Sequence, residues 1–135
     1  MTKDELYEIR NLVIELWQVK RLLLDARDKA VSLKSQDYSR DRVQTSLSQN
    51  NTVDDVVDYE KEFAKIQEKL NRKKAIARKE VDELSDWRER LVLKNRYFSA
   101  MSWKEIYIAM HYSRSQINKY HRNALKNISG KGKQW

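Results

Sequence analysis

The chain has 135 residues, with 28 Lys and Arg against 20 Asp and Glu, two Gly, no Pro and no Cys, and a formal net charge of +8. Both glycines, Gly130 and Gly132, fall at the very end, so residues 1–128 contain neither Gly nor Pro. Phosphate loops, dinucleotide fingerprints and EF-hand loops need glycine where the backbone approaches a ligand or turns through positive φ, and are excluded. The lack of Asn-Gly-type turns argues against an all-β fold. The lack of Cys removes disulfide frameworks, zinc ribbons and thiol nucleophiles, and is compatible with a reducing cytosol. Apolar runs such as Leu22-Leu23-Leu24 are far too short to span a membrane, and the mixed-charge start is not a signal peptide.

In chain order, the first element is a long helix. Thr2, with Glu5 three residues on, forms a capping box. Ile9, Leu12, Leu16, Val19, Leu23, Ala26, Ala30 and Leu33 then recur at alternating steps of three and four, a sustained a/d seam. Leu6, Val13, Leu22 and Leu24 widen the stripe. Residues 35–51 are rich in Ser, Gln and Asn and lack a stripe, so a loop or disordered connector is expected there. A second helix is expected from Thr52 as N-cap, with Asp54 and Asp55 in its first turn. Its seam runs Val56, Tyr59, Phe63, Ile66 and Leu70, breaks at Lys73 and resumes in a shifted frame at Ala77, Val81 and Leu84. Arg72-Lys73-Lys74 is a solvated basic run between acids. Two pairings remain open: an antiparallel hairpin within one chain, or a coiled coil with a second copy or another partner.

From Ser85 on, three short helical segments follow. Asp86 and Glu89 start the first, with Trp87, Leu91, Val92 and Phe98 as its apolar side. Ser102 and Glu105 form a capping box for a helix whose inward face is Ile106, Ala109 and Met110. Ser113 and Gln116 open a longer helix with Ile117, Tyr120, Ala124, Leu125 and Ile128 facing inward. His111-Tyr112 leaves room only for a tight turn, giving a short helix, a turn and a longer helix: a helix-turn-helix. The chain is therefore expected to be all-α, with a long N-terminal helical hairpin or coiled coil over residues 1–84 and a three-helix helix-turn-helix module with a basic tail over 85–135.

The charge divides along the same line. Residues 85–135 carry eleven basic and three acidic side chains, and the first 84 residues are neutral. A basic end on a neutral support points to a polyanion, most often nucleic acid. At 100° per residue, Arg114, Ser115, Asn118, Lys119 and Arg122 share the face opposite Ile117 and Ala124. Arg and Lys donate to guanine O6 and N7, and Ser and Asn pair with base edges or phosphates. Base reading is thus expected from Arg114, Ser115, Asn118 and Lys119. Phosphate contact is expected from Ser113, Arg122, Lys126, Lys104, Lys131 and Lys133, with double-stranded DNA as the partner.

The runs Arg90-Leu91-Val92-Leu93-Lys94-Asn95-Arg96-Tyr97-Phe98, Ser102-Trp103-Lys104-Glu105-Ile106, Tyr112-Ser113-Arg114-Ser115-Gln116-Ile117 and Arg122-Asn123-Ala124-Leu125-Lys126 resemble the helix-turn-helix of the sigma-factor region that reads the promoter −35 element. More closely, the chain resembles small phage and prophage late-gene regulators of the ArpU/RinA type, which carry that module behind a helical N-terminal half. The match covers roughly residues 86–128. The resemblance implies a transcriptional regulator acting in the bacterial cytoplasm, with N-terminal helices that form a homodimer or contact RNA polymerase. It also implies base readers at Arg114, Ser115 and Lys119, and phosphate neighbours at Asn118 and Arg122. The sequence departs from the pattern at Tyr107, where a small residue is usual, at His111, a turn position often occupied by Gly, and at Ser115, which replaces an acidic reader.

No catalytic set is legible. His111 and His121 make no metal motif or triad, His121 reads as a helix-surface or phosphate-contact residue, and the acids of residues 52–62 alternate with Lys as on a solvated helix. Neither an enzyme activity, a cofactor nor a small-molecule substrate is expected. Two rival readings are a DNA-packaging protein of the small-terminase kind and an adaptor that binds an acidic host protein.

Overall fold

The computed structural model describes residues 1–36 and 42–131, and the side-chain surroundings of 1–31 and 53–128. The described residues are all-α: α1 Lys3–Gln36, α2 Arg42–Asp82, α3 Trp87–Leu93, a π-helical turn Lys94–Phe98, α4 Trp103–Met110 and α5 Arg114–Lys131. Among the described residues, no helix is long and apolar enough to cross a membrane. The Ser/Gln/Asn-rich run expected as a loop is helical from Arg42 on, and Thr52 lies inside α2 rather than capping it. Ser, Asn and Gln cost a helix only a few tenths of a kcal/mol each, and without Gly or Pro nothing interrupts it. Residues 37–41 of the expected connector lie outside the described residues.

Packing does not follow the division between residues 84 and 85. One compact unit is Met1–Ile14 with Lys69–Trp135, and the other is Glu15–Glu68. The charge boundary marks where basic residues begin to outnumber acidic ones, which is no constraint on what packs together.

In the unit of Glu15–Glu68, Val19, Leu23, Ala26 and Ile66 are buried, while Leu16, Val56, Tyr59 and Phe63 are half-buried. Arg27 and Glu60 pair across it at 3.0 Å. In the other unit, Leu6, Ile9, Leu12 and Val13 of α1 and Leu70, Ala77, Val81 and Leu84 of α2 are buried. There Glu8 meets Lys73 at 2.9 Å and the Met1 amino group meets Glu80 at 3.1 Å, so early α1 lies beside late α2 and the two run antiparallel. The seam is buried in the unit of Met1–Ile14 with Lys69–Trp135 and buried only in part in the unit of Glu15–Glu68. Leu33 lies outside the described side chains.

The last three helices share a core of Val92, Ile106, Met110 and Ile117, with Met101, Trp103, Tyr107, Tyr112 and Tyr120 packed against it. Tyr107, bulky for its position, is accommodated as a flank of this cluster. Three expected inward residues point elsewhere: Trp87 and Leu91 are exposed, and so is Ala109. In α3 the buried positions are instead Glu89, Val92 and Leu93. After Leu93 the π-helical turn adds a residue to the winding and buries Tyr97 and Phe98. Asp86 caps α3 by accepting from the Arg88 N–H at 2.9 Å. Glu89, expected to reach back as its capping partner, turns inward and accepts from Asn127 Nδ2 of α5 at 2.7 Å. Burial raises its carboxyl above the ordinary value and the Asn127 bond opposes that.

Candidate nucleic-acid interface

α4 and α5 are set by local capping. Ser102 accepts from the Glu105 N–H at 3.2 Å and the Glu105 side chain reaches back to the Ser102 N–H at 3.4 Å. Ser113 and Gln116 repeat the arrangement, at 3.3 and 3.1 Å. Between them His111 closes α4 in the left-handed region, at φ 58° and ψ 35°. Ala100, before α4, also has positive φ, at 54°. These are the positions a glycine would take, and the chain fills them with a methyl and an imidazole.

α5 presents two chemically distinct sides. Ile117, Ala124 and Ile128 are buried, and Tyr120 and Leu125 are half-buried. Arg114, Ser115, Asn118, Lys119, Arg122 and Lys126 are all exposed. The helix contains no acidic residue. Lys104 of α4 is exposed as well. Ser113 is exposed, but its hydroxyl is occupied by Gln116, donating to Oε1 at 3.2 Å. That leaves the cap itself, rather than a free hydroxyl, at the α5 start. Lys131 ends α5, and Lys133 lies outside the described residues.

The structure sorts the described basic side chains of this half into two groups. Those of α3 and the π-helical turn are engaged. Arg88 pairs with Asp86 at 3.1 Å, donates to Tyr120 Oη at 3.0 Å and lies 4.8 Å over that ring. Lys94 pairs with Asp82 at 2.7 Å, which holds the Asp82 carboxyl below its usual range. Arg90 donates to the Leu84 carbonyl. Arg96 donates to the Met101 carbonyl at 3.1 Å and stacks on Trp103 at 4.4 Å. In contrast, Lys104, Arg114, Lys119, Arg122 and Lys126 enter none of the ion pairs found among the described residues.

Set against family models, curated proteins and solved structures, the chain matches none.

The structure also assigns roles that sequence reasoning missed. His121 is not a surface or phosphate-contact residue. Its Nε2 lies 2.7 Å from Tyr97 Oη, its ring stacks on Tyr97 at 5.8 Å, and Trp103 meets it edge-on at 4.7 Å. Burial, with Lys3 and Arg96 nearby, lowers its pKa to about 4, so it is neutral at pH 7. Burial likewise pushes the Tyr97 phenol well above its ordinary value. Tyr97 meets Tyr7 of α1 edge-to-face at 5.5 Å. This aromatic chain, Trp103 to His121 to Tyr97 to Tyr7, fixes α5 against α4, the π-helical turn and the start of α1. Only the i, i+4 and i, i+7 spacing of Lys3, Tyr7 and Arg10 hinted that α1 has a second working face.

Proposed function

We propose that this chain binds duplex DNA sequence-specifically through α5, as a helix-turn-helix transcriptional regulator of the phage or prophage late-gene kind. The observation that carries the reading is the five exposed basic side chains, Lys104, Arg114, Lys119, Arg122 and Lys126, left without acidic partners on α4 and α5. Arg88, Arg90, Lys94 and Arg96 of the same half are instead engaged with neighbouring residues. A face of positive charge at a rigid, capped helix suits a phosphate track and base edges.

In this reading α5 enters the major groove by its N-terminal end. Arg114, Ser115, Asn118 and Lys119 face base edges, and Arg122, Lys126 and Lys104 face phosphates. The Ser113 cap supports a phosphate through the backbone N–H groups of the first turn. α1 and α2 support the module, and the faces outside their seam are available for a second copy or RNA polymerase. The protein acts in the bacterial cytoplasm and catalyses nothing.

Selection of bound sequences from a random duplex pool, followed by gel shifts across a salt series, tests this. Binding should weaken steeply with salt as counterions are released. Arg114→Ala should relax preference at one base position, at a cost of about 1–3 kcal/mol. Lys126→Gln should weaken all duplexes alike and lower the salt slope by about 1. Absence of duplex binding at low salt refutes the reading.

A further inference from the structure

α1 carries Lys3, Tyr7 and Arg10 on one face, at i, i+4 and i+7. That face meets the π-helical turn, since Tyr7 lies against Tyr97. Arg96, the neighbour of Tyr97, and Arg10, one turn beyond Tyr7, are both half-buried there. Each has a buried Nε that finds no hydrogen-bond acceptor. Neither enters any of the ion pairs among the described residues. Arg96 is held in place by the Met101 carbonyl, the Trp103 ring and the Tyr7 side chain, none of which is a carboxylate. His121 beside them is neutral and supplies no counter-charge. Burial, and then the like charge of Arg10, makes the Arg96 guanidinium easier to deprotonate than usual.

Two partly desolvated cations with unused donors and no acid between them are a destabilising arrangement when nothing else is present. A guanidinium pair matches an oxyanion, because its planar forks present several N–H donors to a group with several acceptor oxygens. Lys3 on the same face adds to the local positive field. A phosphate group supplies the missing charge, and both arginines, half-buried rather than enclosed, keep part of their side chains open to it.

We propose that Arg10 and Arg96 form a two-guanidinium site for a phosphate group, which ties the start of α1 to the π-helical turn. The site goes beyond the DNA-binding reading and uses none of the α5 side chains assigned there.

The test uses the full chain and inorganic phosphate, compared with chloride at equal ionic strength. Phosphate should raise the thermal midpoint saturably and shift the Arg10 and Arg96 Nε–H resonances. Arg10→Gln should abolish both effects. Because it also removes the repulsion, it should unfold no lower than the parent in chloride, an outcome a purely structural arginine would not give. Lys126→Gln should keep both effects. No phosphate-specific effect in the parent chain overturns the proposal, as does its survival in Arg10→Gln or its loss in Lys126→Gln. A lower midpoint of Arg10→Gln in chloride overturns it too. If duplex DNA displaces phosphate from these resonances, the group belongs to a nucleic-acid backbone; if both bind together, it is a free phosphate. The gel-shift tests on Arg114 and Lys126 stand or fall separately.

Discussion

The unit of Glu15–Glu68 relies on a single helical seam. Among its described residues four are buried and five half-buried, and one ion pair between exposed side chains, Arg27 with Glu60, crosses it. Such a pair contributes at most about 1 kcal/mol. The unit of Met1–Ile14 with Lys69–Trp135 is held by three kinds of contact at once. It has fully buried aliphatics such as Leu6, Ile9, Ile106 and Ile117, capping boxes at Thr2, Ser102 and Ser113, and an aromatic chain through His121. It also contains all the strained backbone and all the unpaired like charge described above. The contrast teaches that charge and packing need not share a boundary. The basic module begins at residue 85, yet its fold draws on the first fourteen residues of the chain.

The severest test of that contrast is to cut the chain where the charge divides. A fragment of residues 85–131 loses Tyr7 from the Tyr97 contact, along with the burial that Leu6 and Ile9 contribute to the unit. Each buried aliphatic is worth roughly 1.5–3 kcal/mol, against a typical total stability of about 5–15 kcal/mol. The fragment should therefore lose cooperative thermal unfolding. Unfolding at the midpoint of the full chain would refute the role given to α1.

Within the intact chain, Ile117→Ala should cost about 2–5 kcal/mol, since the side chain is fully buried in the shared core. Phe63→Ala removes a larger but half-buried side chain and should cost less, about 1–2 kcal/mol. Denaturant midpoints measure both, and equal costs would erase the distinction between the units.

How much of this was legible beforehand follows from the range of each interaction. The capping boxes at Ser102 and Ser113, the tight turn at His111-Tyr112 and the seam from Ile9 to Leu70 are local or periodic, and the sequence shows them directly. The continuation of α2 through residues 42–51 was hidden because Ser, Asn and Gln read as loop, although each disfavours helix only weakly. The inward turn of Glu89 is not legible because its partner, Asn127, lies far along the chain, and the exposure of Trp87 and Leu91 is not legible because a seven-residue helix has too few turns for a periodic stripe to fix its buried side. His121 and the Arg10–Arg96 pair rest on contacts between residues far apart in sequence, which no short pattern encodes. The exposed face of α5 was legible because it is the complement of its own buried stripe.

His121 sharpens the comparison through pH. Its ordinary value is 6.5 and its folded value is about 4, so between these limits the unfolded chain binds the extra proton. The resulting stability is present in full above pH 6.5 and declines as the pH falls toward 4. Half-burial limits the loss to the order of 2 kcal/mol. Glu89 works in the opposite sense: its raised value gives stability that is present at low pH and lost as the pH rises through the carboxylate range. The difference between the parent and a His121→Gln variant isolates the histidine. That difference should shrink steadily from pH 7 to pH 4, and a constant one would sink the assignment.

The smallest expected effect concerns the backbone. Ala100 and His111, the only described non-glycine residues at positive φ, both lie in the unit that carries the module. An L-residue in this region costs roughly 1–2 kcal/mol relative to glycine. Glycine returns part of that through the added freedom of the unfolded chain, about 0.4–1 kcal/mol. Ala100→Gly and His111→Gly should each stabilise by a net of about 0.5 kcal/mol, detectable in denaturant midpoints. The gain at Ala100 should be the smaller, because its methyl is largely buried and its packing is lost with it. Should either glycine destabilise the fold by more than that lost packing, the side chain at that position would be contributing more than the strain takes away. A chain without glycine before residue 129 would then owe its two left-handed turns to specific contacts and not merely tolerate them.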